Sequence, residues 1–411
     1  MRLSYAAAAV PDDLSTVDLA DPRLYEQGEP HAVWRALRER DPVHRQPVPG
    51  RGSFWAITRY ADAQQVMLDH DTFSSTSGVF LNLLGRAEPA RGQQFASSDP
   101  PRHTQLRAPM QHRVSAAGAA RHLADMRGEI RAMLDVGLGG GTFDLIEAFA
   151  PLPMVALGPL LGIPPADWPA LLRLAMMSVA EEDPDYMLPA GPEATLERAH
   201  RELFGYLTDL VVRRLRQPRD DLIGIMSGLR TDDGPLRPGA IVANAYSIVL
   251  GAAAAIPHVP AAAMRELARA DLYGRLADRP DALETLVEEA LRWATPAQHF
   301  MRVATRAVRV GGVLVEPGDA VVVWLGSANR DVAAFESPDE FDPWRSPNRH
   351  LAFGAGRHYC FGNHFARLAL RILFAEMFAR YAAIEPSGAP THVRSTWLAG
   401  FKRFPVTVTP R

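Results

Sequence analysis

The feature that most constrains this chain is a glycine-rich segment around its one cysteine. The segment reads Phe353-Gly354-Ala355-Gly356-Arg357-His358-Tyr359-Cys360-Phe361-Gly362. Glycine adopts positive φ and lets the backbone approach a flat ligand closely. Helical periodicity begins at Asn363, so Cys360 lies just before a helix N-terminus, where the partial positive charge favours a thiolate. From the residues alone, Cys360 is either a small buried hydrophobe or a chemical centre.

Composition excludes several classes of protein. One cysteine rules out internal disulfides and any zinc or iron–sulfur site built from several cysteines. A net charge of −3 over 411 residues gives no indication of nucleic acid or of an anionic membrane as partner. The apolar stretch Tyr5 to Val10 is too short for a signal peptide, and no run approaches the roughly 18 apolar residues of a membrane helix. We therefore expect a cytoplasmic protein.

The periodicity of apolar residues predicts a mainly α fold with small peripheral β-sheets. Helical patterns cover His31 to Arg40, Ala116 to Leu138, Trp168 to Ala180, Glu193 to Arg216, Pro238 to Leu250, Ala282 to Ala294 and Asn363 to Arg380. Strand patterns cover Phe54 to Thr58, Val308 to Val323 with two turns, and Pro405 to Thr409. No segment has the composition of a linker. The chain is therefore predicted to be one domain, 1–411, with residues 1–30 as an N-terminal extension.

The cysteine segment resembles the heme-binding signature of the cytochromes P450, phenylalanine-glycine-x-glycine-x-histidine-x-cysteine-x-glycine, at every fixed position. The resemblance implies the P450 fold and heme b (iron protoporphyrin IX) as cofactor. It makes Cys360 the axial iron ligand, with Gly354 in the heme-binding loop. His358 would then donate to a heme propionate, and Phe353 would pack near the sulfur. The abundance of arginine, with Lys402 as the one lysine, is typical of GC-rich bacterial genomes such as those of actinobacteria.

A glutamate–arginine motif and an arginine further along the chain also agree with this family. Glu289 and Arg292 lie three apart on a predicted helix, where they alone would be an exposed ion pair. They resemble the P450 glutamate-x-x-arginine motif, and Arg345, eight residues before the signature phenylalanine, matches the third member of its buried network.

The heme propionates need basic partners in a largely apolar pocket. The segment from Asp99 to Arg107 reads as a helix with Asp99 as its N-cap and prolines in the first turn. His103 and Arg107 share one face of that helix. This helix resembles the P450 C-helix, and the resemblance makes His103, Arg107 and Arg302 propionate partners; without it they would form a solvated basic face.

The central helix departs from the family. Most members carry glycine-x-acid-threonine over the iron, and Gly251, 38 residues before Glu289, fits that glycine. The acid and threonine positions then hold Ala253 and Ala254. Four explanations remain open: sequence drift with water as proton source, protons supplied by the substrate, an oxidation without oxygen insertion, or turnover with peroxide. His258 could share the face of Ala254 but is predicted to be a neutral core histidine.

The resemblance also implies partners and a substrate pocket. The chain lacks flavin and iron–sulfur segments, so a ferredoxin and a ferredoxin reductase should supply electrons, with Arg107, Arg113 and Arg357 as candidates for the docking face. We expect a monomer that oxidises a mid-sized natural product by hydroxylation, coupling or cyclisation. A heme-binding sensor or carrier without turnover is the alternative. The predicted pocket residues are Phe80, Leu83, Leu250, Gln298, His299, Leu398 and Phe401.

Overall fold

The computed structural model describes residues 13–26, 30–88, 90–269 and 272–411, so Tyr5 to Val10 lies outside the described residues. Helices dominate, and the predicted fold class is confirmed. The α-helices are α1 (Arg23–Glu26), α2 (His31–Arg40), α3 (Tyr60–Leu68), α4 (Arg102–Arg107), α5 (Ala116–Ala120), α6 (Leu123–Leu134), α7 (Leu145–Phe149), α8 (Leu152–Leu161), α9 (Trp168–Val179), α10 (Pro192–Arg216), α11 (Leu222–Ser227), α12 (Pro238–Ala253), α13 (His258–Arg269), α14 (Leu272–Ala277), α15 (Leu283–Ala294), α16 (Leu325–Ala328) and α17 (Asn363–Arg380).

The strands are short and form five small sheets among the described residues. They are β1 (Val43–Val48), β2 (Gly52–Ile57), β3 (Phe73–Ser74), β4 (Gly141–Asp144), β5 (Arg230–Thr231), β6 (Gly234–Pro235), β7 (His299–Ala304), β8 (Val308–Val310), β9 (Val313–Val315), β10 (Ala320–Trp324), β11 (Tyr381–Pro386), β12 (Thr391–His392), β13 (Phe401–Arg403) and β14 (Pro405–Pro410). The largest sheet has the order β1-β2-β10-β7-β3, with β2 and β10 parallel and the other pairs antiparallel.

Two predictions about local structure are corrected. The predicted helix Ala116 to Leu138 is divided into α5 and α6, because His122 occupies a turn in which its ring packs against Phe365. Asp99 does not cap α4 with its side chain. Its carboxylate instead accepts hydrogen bonds from the Ser75 amide and the Ser74 hydroxyl, while its backbone carbonyl accepts from the His103 amide.

The described part of the predicted N-terminal extension belongs to the core. Leu19 and Tyr25 are buried. The Tyr25 ring stacks on Trp324 of β10 with 5.8 Å between centroids, and Arg394 forms an ion pair with Glu26. Residues 13–26 therefore pack on the large sheet, because their apolar side chains have a hydrophobic surface to cover.

The central helix is interrupted. α12 ends at Ala253 and α13 begins at His258, with a turn between them. Pro257 sits at the end of this turn and has no amide hydrogen to continue the helical ladder. Within Pro238–Ala268, the most apolar 18-residue window has a mean hydropathy of 1.8, so by length and composition this stretch could cross a membrane, contrary to the expectation that no run comes close. Over half of its most apolar window is buried inside the fold, as in the core helix of a globular protein.

Candidate functional site

A large cavity lies between the central helix and the cysteine segment. Together with the open solvent at its mouth it holds about 1730 Å³ of empty space. Cys360 lines one side, and α8, α12 and the loop before β7 line the others. The apolar lining includes Val79, Phe80, Phe95, Ala156, Leu157, Leu160, Ile248, Leu250, Ala252, Ile256, Ala297 and Phe300.

The cysteine loop has a conformation that requires its glycines. Gly354 and Gly356 have φ of 71° and 69°. A Cβ on Gly356 would come within 2.7 Å of the Met67 carbonyl oxygen, so a larger residue would push the loop away from α3. The Cys360 amide donates to the Phe353 carbonyl at 2.8 Å, and the Asn363 side chain donates to the Cys360 carbonyl at 2.8 Å. These bonds hold Cys360 at the cavity wall, just before α17.

Burial in the fold disfavours the thiolate form of Cys360. Burial raises its pKa, and this effect exceeds the opposing influence of the Gly362 amide and of Arg107 and Arg367. The N-terminus of α17 alone therefore does not lower the pKa of Cys360 enough to give the expected thiolate. A bound metal ion would supply the difference, because a thiol that binds a metal gives up its proton.

Basic side chains with unfilled hydrogen-bonding capacity lie at the same cavity. Arg107, Arg302 and His358 line it, and the His103 ring lies 4.5 Å from the His358 ring. Among the described residues, neither arginine has a carboxylate within ion-pair distance, and both His103 nitrogens lack hydrogen-bond partners. Arg302 is 4% exposed, and burial lowers its pKa to about 10. Burial likewise lowers the pKa of His103 to about 4 and that of His358 to about 2.

These groups fit a heme. Buried guanidinium groups without carboxylate partners are costly, and two propionates would supply the missing negative charge. A flat apolar ring would fill the space that the glycine loop leaves beside Cys360. The structure thus brings Cys360, Phe353, Gly354, His358, His103, Arg107 and Arg302 together. Ser75, whose hydroxyl lies 3.2 Å from His358 Nε2, was not predicted, because nothing in its local sequence distinguishes it.

The glutamate and arginine of α15 form a buried network beneath the cysteine loop. Glu289 and Arg292 are both fully buried. Arg292 donates two hydrogen bonds to Glu289, at 2.7 and 2.8 Å, and others to the carbonyls of residues 329, 338 and 340. Arg345 Nε donates to Glu289 Oε2 at 3.1 Å, and Asn348 donates to the same oxygen at 2.9 Å. Glu289, Arg292 and Arg345 are therefore in contact, as predicted, and they hold the 329–348 segment against α15.

A second ion-pair network lies next to the first and was not predicted. Glu288 accepts two hydrogen bonds from Arg367 at 2.7 and 2.8 Å, and its Oε2 lies 3.1 Å from His350 Nε2. Although burial opposes ionisation, these partners hold the pKa of Glu288 down at about 2. Arg367 also contacts the Tyr359 hydroxyl and stacks over Phe353. Residues on both sides of Cys360 are thereby tied to α15 and α17.

Of the three predicted relay positions, Gly251 lines the cavity, and Ala253 and Ala254 are not in its described lining. A Cβ built on Gly251 would meet nothing within 4 Å. Around the end of α12, the alanines that line the cavity are instead Ala252 and Ala255. Ala253 and Ala254 are 3% and 0% exposed and pack in an apolar cluster with Val393 and Leu398. Ile248, Gly251, Ala252 and Ala255 have the spacing of one helix face, and the two buried alanines lie off that face.

His258 is a core histidine, as predicted. It is 3% exposed, and burial lowers its pKa to about 4. Its Nδ1 accepts from the Phe401 amide at 3.3 Å. Within the described chain it stands apart from the lining of the large cavity.

The predicted substrate pocket is only partly correct. Phe80 and Leu250 line the large cavity, whereas the described lining does not include the other five predicted residues. Gln298, Leu398 and Phe401 face a smaller cavity on the far side of the central helix. Leu83 packs in the cluster around Trp34, and His299 is buried against Trp324 at 4.6 Å. Ala297 of the loop before β7 and Phe300 of β7 line the large cavity, whereas Gln298 and His299 between them are not in its described lining.

The three arginines proposed for the docking face differ in exposure. Arg107 is turned inward, where it donates to the Tyr359 carbonyl at 2.6 Å and lies over Phe361. Arg113 is paired with Asp220. Only Arg357 of the three is exposed. Arg107 therefore lies at the cavity, where the family resemblance placed it, and not on an exposed docking face.

Comparison with known proteins agrees with this site. The family model described as Cytochrome P450 matches residues 276–404. The chain is 33% identical to "Putative cytochrome P450 126" of Mycobacterium tuberculosis, over 96% of this chain and 97% of that protein. It is 30% identical to "Cytochrome P450 NovI" of Streptomyces niveus, over 97% and 98%.

Solved structures show the same fold. "Mycobacterium marinum cytochrome P450 CYP268A2 in complex with pseudoionone" superposes with a TM-score of 0.87 at 30% identity, over 98% of this chain and all of that one. P450 OxyD, "involved in the Biosynthesis of Vancomycin-type Antibiotics", superposes with a TM-score of 0.86 at 29% identity, over 96% of this chain and 100% of that one. With a cysteine loop, a basic cavity edge and a buried α15 network in the expected places, the chain belongs to the cytochrome P450 family.

Proposed function

We propose that this protein is a heme-thiolate monooxygenase that oxidises a mid-sized, mostly apolar natural product. One observation carries the proposal: a single cavity joins the cysteine loop and the unpaired basic groups to a broad apolar wall. The first part suits heme b, and the second leaves room for an organic substrate beside it. The similarity to P450 OxyD, which is described as involved in the biosynthesis of vancomycin-type antibiotics, is consistent with a role in specialised metabolism.

Each part of the cavity would have a separate task. When bound through Cys360, the heme iron would supply oxygen activation, which a thiolate ligand promotes. Arg107, Arg302, His103 and His358 would hold the propionates. The apolar residues of α8 and α12 would orient the substrate and exclude water. Because Gly251, Ala252 and Ala255 carry no donor, the α12 wall would deliver no proton from an acid–alcohol pair.

Electrons would come from separate redox proteins, most simply a ferredoxin and its reductase. We further propose that the chain works as one domain, as a monomer in the cytoplasm. These parts of the proposal rest on the family and on the lack of a flavin or iron–sulfur segment in the sequence.

The test is turnover of the purified protein, loaded with heme, in the presence of a ferredoxin, its reductase and NAD(P)H. A panel of mid-sized apolar natural products is first screened for ligand-induced Soret shifts, and the binders are then analysed for products by mass spectrometry. Oxygenated products that depend on the reductase support the proposal. Tight binding of many ligands with no product from any of them would instead favour a sensor or carrier.

A further inference from the structure

Two polar side chains at the cavity wall have no role in the heme site. The polar residues that line the cavity are Gln94, Tyr246 and Ser247, besides Cys360 and the basic groups assigned to the propionates. Tyr246 is engaged with the Ser178 hydroxyl. Gln94 is 8% exposed, and its Oε1 has no hydrogen-bond partner among the described residues. The Ser247 hydroxyl likewise has no recorded partner in that part of the chain.

The position of Gln94 is fixed by buried hydrogen bonds. Asn244 of α12 is fully buried; its Oδ1 accepts from the Phe95 amide at 2.9 Å, and its Nδ2 donates to the Gln93 carbonyl at 2.8 Å. The Ser98 hydroxyl donates to the Gln94 carbonyl at 2.7 Å. The residues on both sides of Gln94 are therefore fastened to the central helix. A side chain held in this way can bind a ligand without first losing much freedom.

Ser247 lies next to this anchor. Asn244, Ser247 and Gly251 are spaced i, i+3 and i+7, which places them along one face of α12. Ser247 is thus one turn from the residue that docks the Gln94 segment, and both polar side chains line the same cavity. A helix can satisfy such a hydroxyl through the carbonyl four residues earlier, as α9 does for Ser178 and α11 does for Ser227, but no such bond is formed by Ser247 in the described structure.

We propose that Gln94 and Ser247 form a polar subsite that binds a hydroxyl group of an otherwise apolar, uncharged substrate. This inference rests on the proposed function, since it concerns the same cavity. A hydroxyl both donates and accepts, so it can donate to the Gln94 carbonyl and accept from Ser247. Apart from the basic groups and the cysteine at the heme side, the described lining carries no charged side chain, so a charged substrate group at the subsite would be costly.

The test measures binding and does not require turnover. The probes are 4-cyclohexylcyclohexanol, its hydrocarbon counterpart bicyclohexyl and the matching carboxylate, 4-cyclohexylcyclohexanecarboxylate. Affinities are obtained by calorimetry and by titration of the Soret band. The unmodified protein should bind the alcohol about 5-fold more tightly than the hydrocarbon, because one net hydrogen bond contributes roughly that much, and it should bind the carboxylate most weakly.

Two variants and one control variant test the polar subsite. Gln94→Leu and Ser247→Ala should each bring the ratio of alcohol to hydrocarbon affinity close to one. Ile248→Val, which changes the cavity wall without a polar group, should leave the ratio as it is. If Gln94→Leu does not retain heme, Ser247→Ala alone decides. A ratio unchanged in the variants, or an unmodified protein with no preference for the alcohol, overturns the subsite. Because no product is measured, failure of the subsite is distinct from failure of the monooxygenase proposal, which the turnover assay detects.

Discussion

At the scale of single residues, the alanines of the central helix set how protons reach the site. Ala255 borders the cavity, whereas Ala254 is buried in a separate cluster with Trp397 and Leu398. A hydroxyl added at Ala255 would therefore face the cavity. A hydroxyl added at Ala254 would be forced into a packed apolar region.

We predict that Ala255→Thr raises the yield of product per NAD(P)H on surrogate substrates that lack a hydroxyl, and lowers hydrogen peroxide release. Ala254→Thr is the matched control. Overpacking should destabilise that variant by about 1–3 kcal/mol and should not improve the yield. The measurement is product, NAD(P)H and peroxide quantified in one assay, with a thermal denaturation curve for each variant. High yield from the unmodified enzyme on such surrogates would contradict this account.

Residues were predictable where their roles lie in a short contiguous string. The ten-residue cysteine segment contains its own glycines, ligand and histidine, so the sequence alone indicated the cavity wall that they build. Gln94 and Ser247 carry no such signal. Their place at one cavity depends on Asn244, which fastens the Gln94 loop to the central helix. Its hydrogen-bond partner Phe95 lies 149 residues away in the sequence.

At the scale of elements, the connection from α15 to the 329–348 segment depends on one buried carboxylate. Glu289→Ala should leave the fully buried Arg292 without its counter-charge, which typically costs about 3–5 kcal/mol. We expect loss of heme retention and a large fall in the denaturation midpoint. Glu284→Gln on the same helix is the control, since that side chain is 80% exposed and pairs with Arg371 at the surface. An unfolding free energy equal for both variants would show that the network does not support the fold.

The junction between the end of α9 and the cavity wall at Phe80 should respond to pH. Burial raises the pKa of Glu181 to about 7, beside Asn82 and Arg51. Arg51 in turn donates to the carbonyls of residues 81 and 84. The pKa of Glu181 in the folded protein lies above the ordinary value of 4.5. The stability contributed by its neutral carboxyl is therefore fully present below pH 4.5 and is lost as pH rises through 7.

We therefore expect residues 80–84 to exchange amide hydrogens faster, after correction for intrinsic rates, at pH 8 than at pH 5.5. Glu181→Gln should remove this difference, because the amide does not titrate. Glu193→Gln, at an exposed position of α10, should preserve it. Equal protection at both pH values in the unmodified protein would count against a neutral Glu181.

Helix boundaries were predictable where proline or a clear periodic pattern marks them. α2 and α17 begin and end at the predicted residues. The direction of the chain beyond Ala253 was not predictable, since Pro257 indicates a break but not the rotation that the turn introduces. Gly251 was placed correctly at the cavity, whereas the buried positions of Ala253, the last residue of α12, and Ala254, the first residue of the turn, were not predicted.

At the scale of the whole molecule, docking of the electron donor should use the exposed surface around the cysteine loop. Arg357→Glu should slow electron transfer from an acidic ferredoxin, and the unmodified rate should fall as salt rises, because exposed charges are screened within about 8–10 Å near physiological ionic strength. Arg216→Glu makes the same charge change at the exposed end of α10 and should leave the rate nearly unchanged. Stopped-flow measurement of heme reduction tests this; equal effects of the two variants would refute a docking face at Arg357.

The most direct test of the central claim is the spectrum of the reduced carbon-monoxide complex. We predict a strongly red-shifted Soret band for the unmodified protein, since Cys360 would bind the iron as a thiolate. Cys360→Ser should lose this band. Cys360→His, which offers the iron an imidazole, should retain heme but also lack the band. A red-shifted band that persists in either variant would show that Cys360 is not the iron ligand, and the account of the site would be wrong.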